Sequence, residues 1–254
     1  MSGIAVARRG AVLGIGFDRP EKKNALTAAM YTAMAEALVQ AATDATVRVI
    51  LFHGSELAFT AGNDLEDFAQ RPPTGEDAPV FRFLLAVAAA TKPLVAAVNG
   101  PAVGLGTTLL LHCDLVYAGE GARFSMPFTR LGLVPEFGSS YLLPLVAGYQ
   151  RAAEMLLLGE PFDAQRAREA GFVTRVVPDA QTLETAWAAA ATLAELPARP
   201  VQLTRALLKA AHRDAIERQL RTESHQFREL LQEPAAREAL AAFLEKRKPD
   251  FSRQ

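Results

Sequence analysis

Residues 95–114, VAAVNGPAVGLGTTLLLHCD, constrain the fold more than any other stretch of the chain. An apolar run opens it and breaks at Asn99-Gly100-Pro101. Gly104 and Gly106 follow, and then a second apolar run. This order predicts a strand, a tight turn and a buried helix whose first turn holds Gly104-Leu105-Gly106. The first N–H groups of a helix lack partners inside it and sit at its positive end, so they can receive a developing negative charge. Gly104 and Gly106 let another backbone or a ligand approach closely. A tightly packed structural connection uses the same features, and glycine placement alone leaves both readings open.

The rest of the chain narrows the class. With 254 residues it accommodates one large domain, or one with a small appendage. Its formal net charge of -1 offers no broad basic field for nucleic acid. The lone Cys113 excludes an internal disulfide and a cysteine-built zinc or iron–sulfur centre. In its apolar run it reads as a buried bystander. His53, His112, His212 and His225 lack metal-ligand spacing, so no metal is expected, and His53 and His112 are expected to be structural. The N-terminus does not resemble a signal peptide, and the run around Leu109-Leu110-Leu111 is too short to span a bilayer. The expectation is a cytoplasmic protein with no membrane partner.

In chain order, residues 4–8 and 11–17 predict an opening hairpin. Thr27 caps a helix over 28–42 whose buried stripe is Met30, Met34 and Leu38. Residues 47–53 predict a strand, and Gly62-Asn63-Asp64 is turn chemistry before a short helix at 65–68. Residues 70–79 read as a mobile loop and 80–91 as a helix. Lys92-Pro93 leads into a strand at 94–98, followed by the helix at 104–112 and short strands at 115–118 and 123–125. Residues 142–158 are helical with an interruption at 147–149. Asp163 caps a helix ending at Glu169, and 172–177 are a strand. Beyond Asp179 only helices are expected, at 179–196, 199–212, 215–231 and 234–246, with a loose tail from Asp250. The division is a core at 1–195 and a helical subdomain at 196–254, whose leucines and phenylalanines need a partner surface.

Three separated motifs then carry a resemblance: Phe59-Thr60-Ala61-Gly62-Asn63-Asp64-Leu65, the run from Asn99-Gly100 through Gly104-Leu105-Gly106 to Cys113-Asp114, and the segment from Pro127 to Glu136. Together they make the chain similar to the enoyl-CoA hydratase/isomerase, or crotonase, family over nearly its whole length. The resemblance implies an α/β fold, a crotonase-like spiral of ββα units with a helical C-terminal region. It implies trimers or dimers of trimers built with that region. It implies an acyl-CoA substrate whose CoA moiety belongs to the substrate, with no separate cofactor. By the same resemblance the backbone N–H groups of Asn63 and Leu105 form an oxyanion hole. Lys23, Ala25, Leu26, Ala61, Asn63, Asp64, Leu65 and Gly104 line the CoA-binding path, although spacing does not decide whether Lys22 or Lys23 faces inward.

The reaction turns on carboxylates. The hydratases of this family carry two catalytic glutamates, and here those positions hold Thr108 and Phe128, poor replacements for an acid–base pair. Leu133-Val134-Pro135-Glu136-Phe137-Gly138 instead resembles the single-glutamate site of the Δ3,Δ2-enoyl-CoA isomerase branch. The resemblance therefore implies that Glu136 moves a proton between C2 and C4 while the two amides hold a dienolate. Apolar neighbours would raise the pKa of Glu136. A hydratase with another acid–base arrangement, a different acyl-CoA enolate enzyme and a non-catalytic CoA-ester binder stay as alternatives.

Overall fold

The computed structural model describes residues 3–252 except 73, 74 and 76. The chain runs β1 (Ile4–Arg9), β2 (Val12–Phe17), α1 (Ala28–Thr43), β3 (Val49–His53), α2 (Leu65–Gln70), α3 (Pro79–Ala88), β4 (Leu94–Val98), β5 (Pro101–Val103), α4 (Leu105–Thr108), β6 (Leu115–Gly119), β7 (Arg123–Ser125), α5 (Ser139–Ala147), α6 (Tyr149–Ala153), β8 (Phe162–Asp163), α7 (Ala164–Glu169), β9 (Arg175–Val177), α8 (Thr182–Glu195), α9 (Ala198–Ala210), α10 (Arg213–Leu230) and α11 (Pro234–Leu244). Two sheets result. The larger has the order β1-β2-β3-β4-β6-β9, antiparallel only between β1 and β2. The smaller is β5-β7-β8.

The strands are apolar on both faces because both faces are covered. Val49 and Leu51 of β3 and Val95 and Ala97 of β4 pack with Trp187, Ala186 and Ala190 of α8. Their neighbours Ile50, Phe52, Leu94, Ala96 and Val98 face the main core with Met30, Met34, Leu38, Phe83 and Leu84 of α1 and α3. After β4 the chain turns at Asn99-Gly100 into β5 of the smaller sheet and then α4; after β6 it does the same through β7 towards α5. Each turn of the spiral thus lays a strand in one sheet, a strand in the other and then a helix. Thr60, which follows β3, joins the smaller sheet by a single parallel bridge to Ala102. This is the crotonase-like α/β fold.

Several boundaries differ from those the sequence predicts. The strand expected from 47 begins at Val49, because the Val47 N–H closes a turn onto the Asp44 carbonyl. The helix expected to reach 91 ends at Ala88, where Ala90 N–H bonds back to the Val87 carbonyl ahead of Lys92-Pro93. The expected helix at 104–112 is the short α4 followed by a 3₁₀ turn, Leu109–His112. The strand expected over 172–177 shrinks to β9, since Thr174 uses both its N–H and its hydroxyl on Val116. β5 and β8 were not expected; both are very short, and Pro101 opens β5. Helix α5 begins at Ser139, earlier than expected, and Gly148 separates it from α6. Parts of the loop at 70–79 and of the tail after Asp250 lie outside the described residues.

The C-terminal helices are tied to the spiral by buried polar contacts. Arg205 of α9 donates from Nε to Asp114 Oδ2 at 2.7 Å and from Nη1 to the Ala90 carbonyl. Lys209 donates to the His112 carbonyl at 2.8 Å. Helix α10 packs on α5, and α11 packs on the turn Thr129–Leu131. Among the described residues no helix is long and apolar enough to cross a membrane.

Candidate active site

Two backbone loops meet at the bridge between Thr60 and Ala102. Thr60 N–H donates to the Pro101 carbonyl at 3.0 Å, and Val103 N–H donates to the Thr60 carbonyl at 3.0 Å. Three residues on from this bridge lies Asn63 in one segment and Leu105 in the other. The approach is close because glycines permit it. A Cβ on Gly106 would lie 2.5 Å from Thr60 Cγ2, and one on Gly62, at φ +85°, would lie 2.9 Å from the Val103 carbonyl oxygen. Leu105 opens α4, so its N–H belongs to the first turn, which has no acceptor within the helix. No backbone or side-chain oxygen of the described residues accepts from the N–H of Asn63 or Leu105.

A third segment runs beside the first loop. Ala61 N–H donates to the Lys23 carbonyl, Leu26 N–H to the Gly62 carbonyl and Asp64 N–H to the Leu26 carbonyl. Asn24 is wholly buried and pins this segment through its side-chain amide to the Ala58 and Phe59 carbonyls. Asp64 caps α2 by accepting from the N–H groups of Glu66 and Asp67, and takes a 2.6 Å hydrogen bond from Arg19. Burial opposes its charge, but the Arg19 bond and the two amides prevail and hold its carboxyl below the usual carboxylate range. The Asn63 side chain is fixed by the Tyr31 phenol, which donates to its Oδ1.

Glu136 sits on the loop before α5. Phe137 and Gly138 that follow it are both left-handed, at φ 65° and 69°. Phenylalanine is strained there. The loop is nevertheless anchored: neutral His112 donates from Nε2 to the Phe137 carbonyl at 2.8 Å and stacks on its ring at 4.1 Å between centroids. Burial pushes the His112 pKa down to about 3, which keeps the ring neutral. Glu136 is buried, and its Oε1 has no hydrogen-bond partner among the described residues. Desolvation, with the nearby charge of Glu223 second, raises its pKa to about 8.

These pieces enclose a cavity of about 420 Å³. Of the residues singled out from sequence, Ala25, Ala61, Asn63, Asp64, Leu65, Gly104, Leu105 and Glu136 line it. Lys22 lines it and Lys23 does not, because the backbone turns left-handed at Lys23 (φ 51°) and leaves that side chain exposed. Leu26 faces a neighbouring 520 Å³ cavity that shares Asn63 and Asp64. Phe128 forms apolar wall, while Thr108 is buried outside the cavity with its hydroxyl directed at the Leu105 carbonyl. Glu136 and Asn63 also border a 40 Å³ recess walled by Val80, Phe81 and Leu84. A larger groove of 760 Å³ between α9, α10 and the end of α3 contains neither Glu136 nor the two amides.

Sequence reasoning missed Tyr31, Glu223 and the part played by Phe227 and Phe243, which reach the cavity from α10 and α11. One signal for Glu223 was present. It stands between Leu220 and Phe227 on the buried stripe of α10, where a charged residue is out of place. Cys113, expected to be buried, is only half-buried; its thiol is pushed up to about 12 by desolvation and it lies outside the cavity.

Comparison with known proteins bears on this cavity directly. The family model for enoyl-CoA hydratase/isomerase matches residues 7–254. The chain is 39% identical over 220 residues to enoyl-CoA delta isomerase 2 of Rattus norvegicus, covering 84% of this chain and 56% of the rat protein. It is 36% identical over 252 residues to 2,3-dehydroadipyl-CoA hydratase of Escherichia coli K12, covering 99% of each. The solved structure of OdaA from Pseudomonas aeruginosa superposes with a TM-score of 0.93 at 47% identity, covering 95% of this chain and 98% of that one. Relatives of both reaction types share the scaffold, and the match runs through every segment that walls the cavity. The chain therefore belongs to the enoyl-CoA hydratase/isomerase family, enzymes that act on acyl-CoA substrates.

Proposed function

We propose that this protein is a Δ3,Δ2-enoyl-CoA isomerase. A 3-enoyl-CoA binds with its thioester oxygen towards the N–H groups of Asn63 and Leu105. Ionised Glu136 takes a proton from C2, charge moves onto the thioester oxygen, and the resulting dienolate is held by the two amides. The protonated Glu136 then delivers the proton to C4, and the product is a 2-trans-enoyl-CoA. Donors aimed at charge that develops only in the transition state lower the barrier more than they stabilise bound substrate. A base with a pKa near the working pH is suited to both accepting and returning a proton.

The observation that carries the reading is a buried carboxylate with an unpartnered oxygen, Glu136, sharing one cavity with Asn63 and Leu105, while Thr108 and Phe128 stand where the resemblance puts the glutamates of the family's hydratases. Adding water needs a water positioned and activated while a proton reaches the adjoining carbon, work for which the resemblance gives the family's hydratases two carboxylates. The cavity's other carboxylates argue against that role: Asp64 is committed to a cap and an ion pair, and Glu66 is exposed and pairs with Lys22. The path past Ala25, Ala61, Asp64 and Leu65 suits the CoA moiety, with Lys22 as the cation nearest its phosphates. The proposal extends to the assembly: a homotrimer or dimer of trimers formed with the helices beyond residue 195.

The test uses matched cis- and trans-3-enoyl-CoA esters. Glu136→Gln should lower kcat by about 10²–10⁴-fold and leave KM for the ester within about twofold of the parent. Undiminished turnover in that variant would overturn the assignment. Rapid hydration of crotonyl-CoA that depends on Glu136 would move the reading to a hydratase.

A further inference from the structure

Helix α5 starts without a cap of its own. Its N-cap position is Gly138, which has no side chain to offer. The missing acceptor comes from another element: Glu223 of α10 accepts from the Gly138 N–H through Oε2 at 2.5 Å and from the Ser140 N–H through Oε1 at 2.9 Å. The Ser140 hydroxyl donates to the same Oε1 and in turn accepts from Gln219 at 2.8 Å. Glu223 is 2% exposed, and among the described residues no lysine, arginine or histidine pairs with it.

We propose that Glu223 is a positioning residue for Glu136, fixing the strained loop that carries the base and setting a negative charge beside it. The inference rests on the reading of Glu136 as the base. Its first half follows from geometry. Phe137 holds a left-handed conformation, unfavourable for a residue with a side chain, that lasts only where the surroundings over-determine it. His112 grips the Phe137 carbonyl from one side and Glu223 grips the Gly138 and Ser140 amides from the other. Glu136 therefore cannot shift without breaking one of these grips.

The second half concerns charge. A neutral asparagine or glutamine would satisfy part of this N-terminus at a smaller cost of burial. A carboxylate instead keeps a like charge near Glu136 and resists its ionisation. Of the other charged groups lining the Glu136 cavity, Asp64 pairs with Arg19 and Glu66 with Lys22. The Tyr31 phenol of α1 is kept protonated by its burial, and Arg228 of α10 lines the recess that Glu136 borders. Tyr141 and His212, farther along the contact between α5 and α10, are paired with each other at 3.0 Å. Glu223 itself is raised to about 7, burial outweighing the hydrogen bonds from Ser140 and Gly138 that lower it. Its charge thus develops just below the range in which Glu136 must work.

The experiment follows kcat and KM for a 3-enoyl-CoA ester across about pH 5 to 10 in the full-length protein, for Glu223→Gln and for Ser140→Ala. Glu223→Gln should lower kcat about tenfold or more, with KM changed less than about twofold. The midpoint of the acid limb of kcat should move down by about half a pH unit or more, because Glu136 ionises more readily without its neighbour's charge. Ser140→Ala should move the midpoint the same way by less, since losing the hydroxyl makes Glu223 harder to ionise; it decides the matter if Glu223→Gln does not fold. A midpoint unmoved in the folded variants would overturn the inference, and so would an unchanged kcat in Glu223→Gln. Glu136→Gln runs alongside: if it is active, the reading of the base has failed, whereas if it is inactive while the midpoints stay fixed, only the role of Glu223 has failed.

Discussion

Glu136 is easier to bury neutral than charged, and this links stability to pH in a stated direction. Its folded pKa, about 8, lies above the ordinary 4.5, and that of Glu223, about 7, is raised as well. The folded state therefore holds these protons more tightly than the unfolded chain. The stabilisation is full below about pH 4.5 and is lost as pH rises through the folded values. Each pKa unit corresponds to about 1.4 kcal/mol, so the loss is on the order of a few kcal/mol for each of the two groups. His112 acts at the other end: its value of about 3 makes stability fall as pH drops below about 6.5. Urea unfolding midpoints should decline between about pH 6 and pH 9 in the parent, and Glu136→Gln should flatten part of that decline. At this scale the sequence was informative where motifs are contiguous: Glu136, Asn63 and Leu105 could all be named. Glu223 could not, because the amides it satisfies lie more than eighty residues earlier in the chain. The choice between Lys22 and Lys23 hung on one left-handed residue that spacing does not encode.

Among the elements, the decisive contact is the single bridge between Thr60 and Ala102. Gly106 lets α4 settle against Thr60, and its Cβ position is already occupied by Thr60 Cγ2 at 2.5 Å. Gly106→Ala should therefore push the two loops apart. The expected results are a loss of about 1–3 kcal/mol in stability and a fall in kcat of about tenfold or more, since small misplacements of reacting groups are costly. Adding Thr60→Ser removes the offending methyl and keeps the hydroxyl that Gly62 N–H and the Asn24 carbonyl use. The double variant should recover much of both losses, measured by thermal melts and steady-state rates. Most elements were legible because amphipathic helices and doubly covered strands leave strong periodic signals. β5 and β8 left none, being too short for a period, and β5 begins with a proline.

For the molecule as a whole, the helices beyond residue 195 do two things. They close the cavity with Phe227 and Phe243, and they leave Leu203, Leu207 and Leu208 at 53%, 77% and 76% exposure. These three leucines of α9 are the side chains the proposed assembly would cover. If the proposed assembly forms through this face, sedimentation velocity should show a trimer or hexamer, and Leu207→Glu should shift the population to smaller species. A monomer at micromolar concentration in the parent would refute it. Sequence reading found the helical region and its unmet apolar positions. It did not find that the same helices reach back to the loop that carries Glu136, since that depends on how α10 docks on α5.

The bridge has one more consequence. Because the amides of residues 63 and 105 stand at equal steps from a shared backbone register, the proposed receptor for the enolate oxygen owes nothing to the side chains at those two places. Its dimensions are set by the backbone pairing and by the glycines at 62 and 106, not by the carboxylates around it. A lineage can then discard one proton donor, recruit another on a different loop, and change the product without rebuilding the anion receptor.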